Sequence, residues 1–102
     1  MSPEPHDELP PLPADSAVAI DAFLEALWVE DGLSDNTLAA YRRDLTLYAR
    51  WLGHASGKPL DGSGEADLRA YALERHAGTR ATSANRRLTV FRRYFRWALR
   101  EH

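Results

Sequence analysis

The chain has 102 residues, with thirteen Lys and Arg, fifteen Asp and Glu, four His and no Cys. At roughly 100–200 residues per domain it holds one domain, and the lack of Cys excludes a disulfide framework, a thiolate zinc site and a thiol nucleophile. No run approaches the roughly 18–20 apolar residues of a membrane span, and the N-terminus lacks the basic-then-apolar layout of a secretion signal. A cytoplasmic protein that avoids membranes is expected.

The charges are unevenly distributed. Residues 1–35 carry nine acids and no base, whereas residues 36–102 carry all thirteen bases and six acids. Between Thr79 and Arg100 there are seven Arg and no acid. Local field rather than net charge recruits a polyanion, so the asymmetry points to nucleic acid although the overall balance is near neutral.

Residues 1–15, MSPEPHDELPPLPAD, hold five of the six Pro and few large apolar side chains. Such a composition buries too little surface to offset its ordering entropy, so a disordered acidic tail is predicted. From residue 16 onward the apolar spacing is helical. The first helix is predicted to start at Asp15 or Ser16 as N-cap and to stop at Gly32, burying Ile20, Phe23, Leu24 and Leu27. In the second, Ser34 caps a stripe of Leu38, Tyr41, Leu45, Tyr48 and Leu52 that ends at Gly53. A Gly- and Pro-containing loop follows, with Asp61-Gly62-Ser63-Gly64 as its turn. The third helix, Glu65 to His76, buries Leu68 and the Tyr71/Ala72 edge and ends at Gly78. The fourth runs from a Thr82 or Ser83 cap to the C-terminus with Leu88, Phe91, Phe95 and Leu99 inward. No segment alternates with period two for long enough to form a strand. The expected fold is all-α, a small bundle of four helices over residues 16–102.

At about 100° per residue, Arg86, Arg92, Arg93, Arg96 and Arg100 fall within an arc of about 120° beside the apolar side of the fourth helix. Arg is always charged and grips two oxygens at once, so such a strip suits phosphate; the plain alternative is a solvated helix face. Two features favour phosphate. The run lacks the interleaved acids that make i,i+4 pairs, and Thr82, Ser83 and Asn85 stand at the positive end of the helix dipole. The second helix repeats the pattern, with Ser34, Asn36 and Thr37 at its start and Arg42 and Arg43 one turn later, against the plain reading of an ordinary N-cap with surface arginines. Two polar-then-basic helix starts suggest a surface that inserts paired helix ends at a duplex. The expected DNA contacts are therefore Ser34, Asn36, Thr37, Arg42, Arg43, Thr82, Ser83, Asn85, Arg86, Arg87 and Arg93, with Arg92 farther round toward the core edge. No His pair has metal-ligand spacing, Gly62-x-Gly64 is turn chemistry, and no Tyr has a constellation of His and Arg around it, so neither metal, cofactor nor catalytic residue is expected.

The run Phe23-Leu24-Glu25-Ala26-Leu27-Trp28 is followed by Leu33-Ser34-x-Asn36-Thr37-Leu38-x-Ala40-Tyr41-Arg42-Arg43-Asp44-Leu45. With Ala81-Thr82-Ser83, Arg86-Arg87-Leu88 and Phe91-Arg92-Arg93-x-Phe95, these stretches resemble the N-terminal core-binding domain of bacterial tyrosine recombinases, nearest to the XerD branch. The resemblance covers about Ala17 to His102. It implies a SAM-like helical domain that forms half of a C-shaped clamp on a recombination half-site, with the second and fourth helices facing the DNA. It further implies a role in DNA integration and recombination, notably chromosome dimer resolution, with a sister recombinase and a DNA translocase as partners. The family's catalytic residues belong to a separate C-terminal domain absent from these residues, so the chain alone is not expected to cut DNA. The acidic Pro-rich tail departs from the family pattern. A competing reading is a helical adaptor that uses the acidic first helix against a basic protein. A small helix-turn-helix repressor is disfavoured by the long 53–64 loop.

Overall fold

The computed structural model describes residues 11–75 and 80–101. Four helices account for most of them: α1 (Ala14–Asp31), α2 (Asp35–Ser56), α3 (Glu65–Arg75) and α4 (Ala81–Glu101), with a single 3-10 turn at Leu60–Gly62 and no strand among the described residues. The all-α expectation holds.

The boundaries differ from the predicted ones for identifiable reasons. Helix α1 begins at Ala14, directly after Pro13, whose φ of −59° is already helical and whose carbonyl accepts from the Ala17 N–H at 3.0 Å. Neither Asp15 nor Ser16 caps it. Ser16 is buried, and its Oγ accepts instead from the Leu60 N–H at 3.1 Å, tying the loop after α2 to the first turn of α1. Leu12 packs partly against the core, so residues 11–15 belong to the folded unit rather than to a tail; the remainder of the predicted tail lies outside the described residues. Helix α2 runs through Gly53 to Ser56 and stops at Gly57, whose φ of +69° is the left-handed C-cap and whose N–H bonds back to the Gly53 carbonyl at 3.1 Å. Gly53 stays helical against the start of α1, where a Cβ would sit 3.9 Å from Pro13 Cγ. Gly32 ends α1 as predicted, at φ +63°. Helix α3 opens with the Asp67 carboxylate accepting from the Gly64 N–H at 2.9 Å, the return half of a capping box. His76 and Gly78, its predicted end, lie outside the described residues.

Helices α1 and α2 are antiparallel: Pro13 lies by Gly53, and Asp21 pairs with Arg42. Helices α2 and α4 run in the same direction, because Asp44 meets Arg86 while Tyr48 meets Phe91 farther along both. The core is aromatic on two sides. Tyr48, Tyr71 and Phe91 interlock with Trp51 where α2, α3 and α4 meet, and Phe23 of α1 packs edge-on to Tyr94 of α4 at 5.3 Å. Leu60 is buried, and the Tyr94 hydroxyl bonds to Asp61, so the loop is fastened to both α1 and α4.

The inward face of α4 requires a correction. Val90, Phe91, Tyr94 and Ala98 are buried together with Arg87, whereas Leu88 is 44% exposed, Leu99 is 83% exposed and Phe95 is only partly buried. The helix is rotated so that Tyr94 replaces Phe95 at the centre. Two apolar stripes with helical spacing overlap at Phe91, and α1 and the loop select the one containing Tyr94, which meets Phe23 and Asp61. Leu38, also expected in the core, is partly buried at its rim.

Candidate nucleic-acid interface

The parallel run of α2 and α4 puts their N-termini at one end of the bundle. Asp44 stands about 13 Å into α2 and Arg86 about 8 Å into α4, at 1.5 Å rise per residue, so the two starts finish within about 6 Å of the same level. Ser34 caps α2: its Oγ accepts from the Thr37 N–H at 3.3 Å and donates to Thr37 Oγ1 at 3.0 Å. Asn36, Arg42 and Arg43 are exposed on the outward side of α2, and Thr37 is half-buried. On α4, Thr82 and Asn85 are exposed, Ser83 is half-buried, and the Arg80 carbonyl accepts from the Ala84 N–H at 3.0 Å. Helix α4 starts at Ala81, so Thr82 and Ser83 lie inside its first turn rather than capping it.

Eight arginines of α2 and α4 divide into three groups. Arg86 and Arg87 face inward, unlike the outward role expected of them. Arg86 donates from Nε and Nη2 to the two Asp44 oxygens at 2.8 and 3.0 Å, and these bonds raise its already high pKa further. Arg87 is 9% exposed, its guanidinium 5.9 Å from the Tyr71 ring centre. A second group is engaged by carboxylates of α1: Arg42 with Asp21 at 2.6 Å, Arg93 with Asp31 at 3.5 Å, and Arg100 with Glu30 at 3.4 Å. The acids missing from the α4 run are thus supplied by another helix, which local sequence spacing does not reveal. Exposed pairs of this kind are worth about 0–1 kcal/mol and exchange readily for another anion. The third group, Arg43, Arg92 and Arg96, is exposed and makes no ion pair with the described residues. Arg92 points away from the core, not toward its edge as expected.

Thr82, Asn85, Thr89, Arg92 and Arg96 are all exposed, and at spacings of three and four they form one polar-then-basic line along α4. Thr89 and Arg92 join this line only in the phase that buries Val90 and Tyr94, not in the phase that would bury Leu88 and Leu99. The signal for it was present in the threonine itself, one turn beyond Asn85.

All four tyrosines are buried; burial pushes the Tyr48 phenol up to about 12 and the Tyr71 and Tyr94 phenols upward as well. No group of three or more metal-ligating side chains occurs among the described residues, and no helix among them is long and apolar enough to cross a membrane.

Residues 20–102 match the family described as phage integrase, N-terminal SAM-like domain. The chain belongs to that family. Among curated proteins it is 59% identical over 92 residues to the tyrosine recombinase XerD of Ralstonia nicotianae, covering 90% of this chain and 30% of that protein. It is 43% identical over 83 residues to the XerD proteins of Yersinia pestis and Pseudomonas aeruginosa, covering 80% of this chain and 27% and 28% of theirs. The chain therefore spans about 30% or less of the length of these relatives. No solved structure matches it. As a SAM-like integrase domain it stands in a family of site-specific DNA recombination and integration proteins, and its matches lie within the N-terminal, non-catalytic part of XerD.

Proposed function

We propose that this domain holds double-stranded DNA for a XerD-like site-specific tyrosine recombinase, closing on one face of a recombination half-site. The observation that carries the reading is the parallel pairing of α2 and α4, which brings two polar-then-basic helix starts to one end of the molecule. Ser34, Asn36, Thr37, Arg42 and Arg43 on α2 meet the duplex together with Thr82, Ser83 and Asn85 on α4, continued by Thr89 and Arg92. Helix starts near base edges read sequence, Arg toward guanine and Asn toward adenine, while the more distal arginines bind phosphates and set affinity. Arg93 joins by releasing Asp31; Arg86 and Arg87 remain within the scaffold. In the full recombinase the expected task is resolution of chromosome dimers by strand exchange, with a sister recombinase subunit and a DNA translocase as partners.

Strand cleavage is expected to reside outside these 102 residues, since all four tyrosines are buried in the bundle, where a phenol oxygen does not reach a phosphodiester. Supercoiled DNA carrying a recombination site is expected to remain uncut and unrelaxed on incubation with the domain; a covalent protein–DNA adduct would overturn this. Half a clamp binds weakly because the avidity of the closing half is missing. With about three to six phosphates neutralised, log K is expected to fall with log salt at a slope of roughly −3 to −5. Amide NMR shifts on adding a duplex should map to both helix starts. An adaptor reading has the exposed Val18, Trp28 and Val29 on acidic α1 in its favour. Shifts confined to that helix, with early elution from a heparin column, would favour it instead.

A further inference from the structure

We propose that Asp44 and Arg86 are positioning residues, a charged strut that sets the spacing and rotation of the two helix starts against DNA; this rests on the nucleic-acid reading above. The first nine residues of α4 bury no apolar side chain fully. The first buried apolar residue of the helix is Val90, and Leu88 is nearly half exposed. Residues 81–89, which include the reading positions Thr82, Ser83 and Asn85, are anchored chiefly by Arg87 over the Tyr71 ring and by Arg86 on Asp44. On α2, likewise, no residue before Tyr41 is buried.

Asp44 stands at this boundary with its side chain 7% exposed, and Arg86 reaches it with a side chain 39% exposed. The two bonds, Nε to Oδ2 at 2.8 Å and Nη2 to Oδ1 at 3.0 Å, engage both carboxylate oxygens at once. A fork of this kind fixes direction as well as distance, which a single hydrogen bond does not. Its carboxylate comes from α2 and its cation from α4, so it couples the rotation of one helix to the other. Breaking the pair also leaves the buried Asp44 carboxylate without its cation, which favours the registered geometry over a slipped one. Arg86 thus contributes to DNA binding through where it holds α4, not through its own charge.

The test compares the wild-type domain with Asp44→Asn and Arg86→Lys, using a duplex selected by the wild type from a random-sequence pool and a scrambled duplex of equal length. Circular dichroism first identifies a temperature at which each protein is folded. Arg86→Lys keeps the charge and one hydrogen bond, and so remains informative if Asp44→Asn does not fold. A strut predicts that both variants lose on the order of tenfold in affinity for the selected duplex, with the salt slope unchanged because no phosphate contact is removed. The ratio of selected to scrambled affinity should fall too. A partly unfolded population would lower both affinities equally and leave that ratio intact. If Arg86 were a phosphate contact muted by Asp44, Asp44→Asn would raise affinity and steepen the slope by about one, and Arg86→Lys would bind like wild type. Either result overturns the strut while leaving the DNA reading standing. A wild type that enriches no duplex from the pool and binds none at low salt overturns both.

Discussion

Ser16 illustrates how a residue's role depends on what the fold brings to it. Its type and place suggest a helix cap, yet its hydroxyl meets the Leu60 N–H from a loop forty-four positions away. Ser16→Ala should leave that buried N–H without a partner and cost about 1–3 kcal/mol, measured by denaturant unfolding. The helix cap at Ser34 stays local, because both of its partners are on Thr37. Substitutions in α4 report its rotation. Phe91→Ala should destabilise by on the order of 2–5 kcal/mol, as should Leu45→Ala on α2, through lost burial and the cavity left behind. Leu99→Ala should stay within about 0.5 kcal/mol, being on the surface. Equal losses at Phe91 and Leu99 would place α4 in the other phase.

At the scale of the element, α4 is a helix with two faces whose division was only half legible. Its periodicity and its lack of acids were plain from the sequence, and so was the Arg-rich side. Which arginines are paired was not, because Asp31 and Glu30 lie some seventy positions or fewer away on α1 and Asp44 on α2. That pairing reverses the expected ranking of Arg92 and Arg93. Arg92→Ala should flatten the salt dependence of duplex binding by about one unit, since it removes an exposed cation that no described carboxylate neutralises. Arg93→Ala should flatten it by less, because Asp31 already offsets that charge. Fluorescence anisotropy across a salt series distinguishes the two, and a larger effect at Arg93 would show that displacing Asp31 costs that contact nothing. Helix α2 was more legible: its Ser34 cap and four of its five stripe residues, Tyr41, Leu45, Tyr48 and Leu52, appear as read, while Leu38 sits at the rim and the end moved from Gly53 to Gly57.

For the molecule as a whole, three buried phenols set an alkaline limit. Tyr48, Tyr71 and Tyr94 all have raised pKa values, chiefly from burial, with Tyr48 moved from the ordinary 10.0 to about 12. In the unfolded chain they ionise near their ordinary value, so above it the unfolded state binds fewer protons than the native state. Stability is therefore complete below about pH 10 and falls as pH rises through the folded-state values. Helix content and tyrosinate absorbance should change together in that range. Tyrosinate appearing with full helicity retained would show that the phenols ionise without unfolding.

The sequence by itself determined the helical class, the four segments, most of α1 and α2 inward, and the recombinase-family likeness, because these depend on apolar spacing, caps and motifs that are local along the chain. It also determined that acid and base are segregated. The rotation of α4, the engagement of Arg86 by Asp44 and of Arg87 by Tyr71, and the parallel run that brings two helix starts to one end emerge only on folding. Each of these depends on contacts between residues far apart in the chain, such as Phe23 with Tyr94 or Asp44 with Arg86, and such contacts have no period to be read.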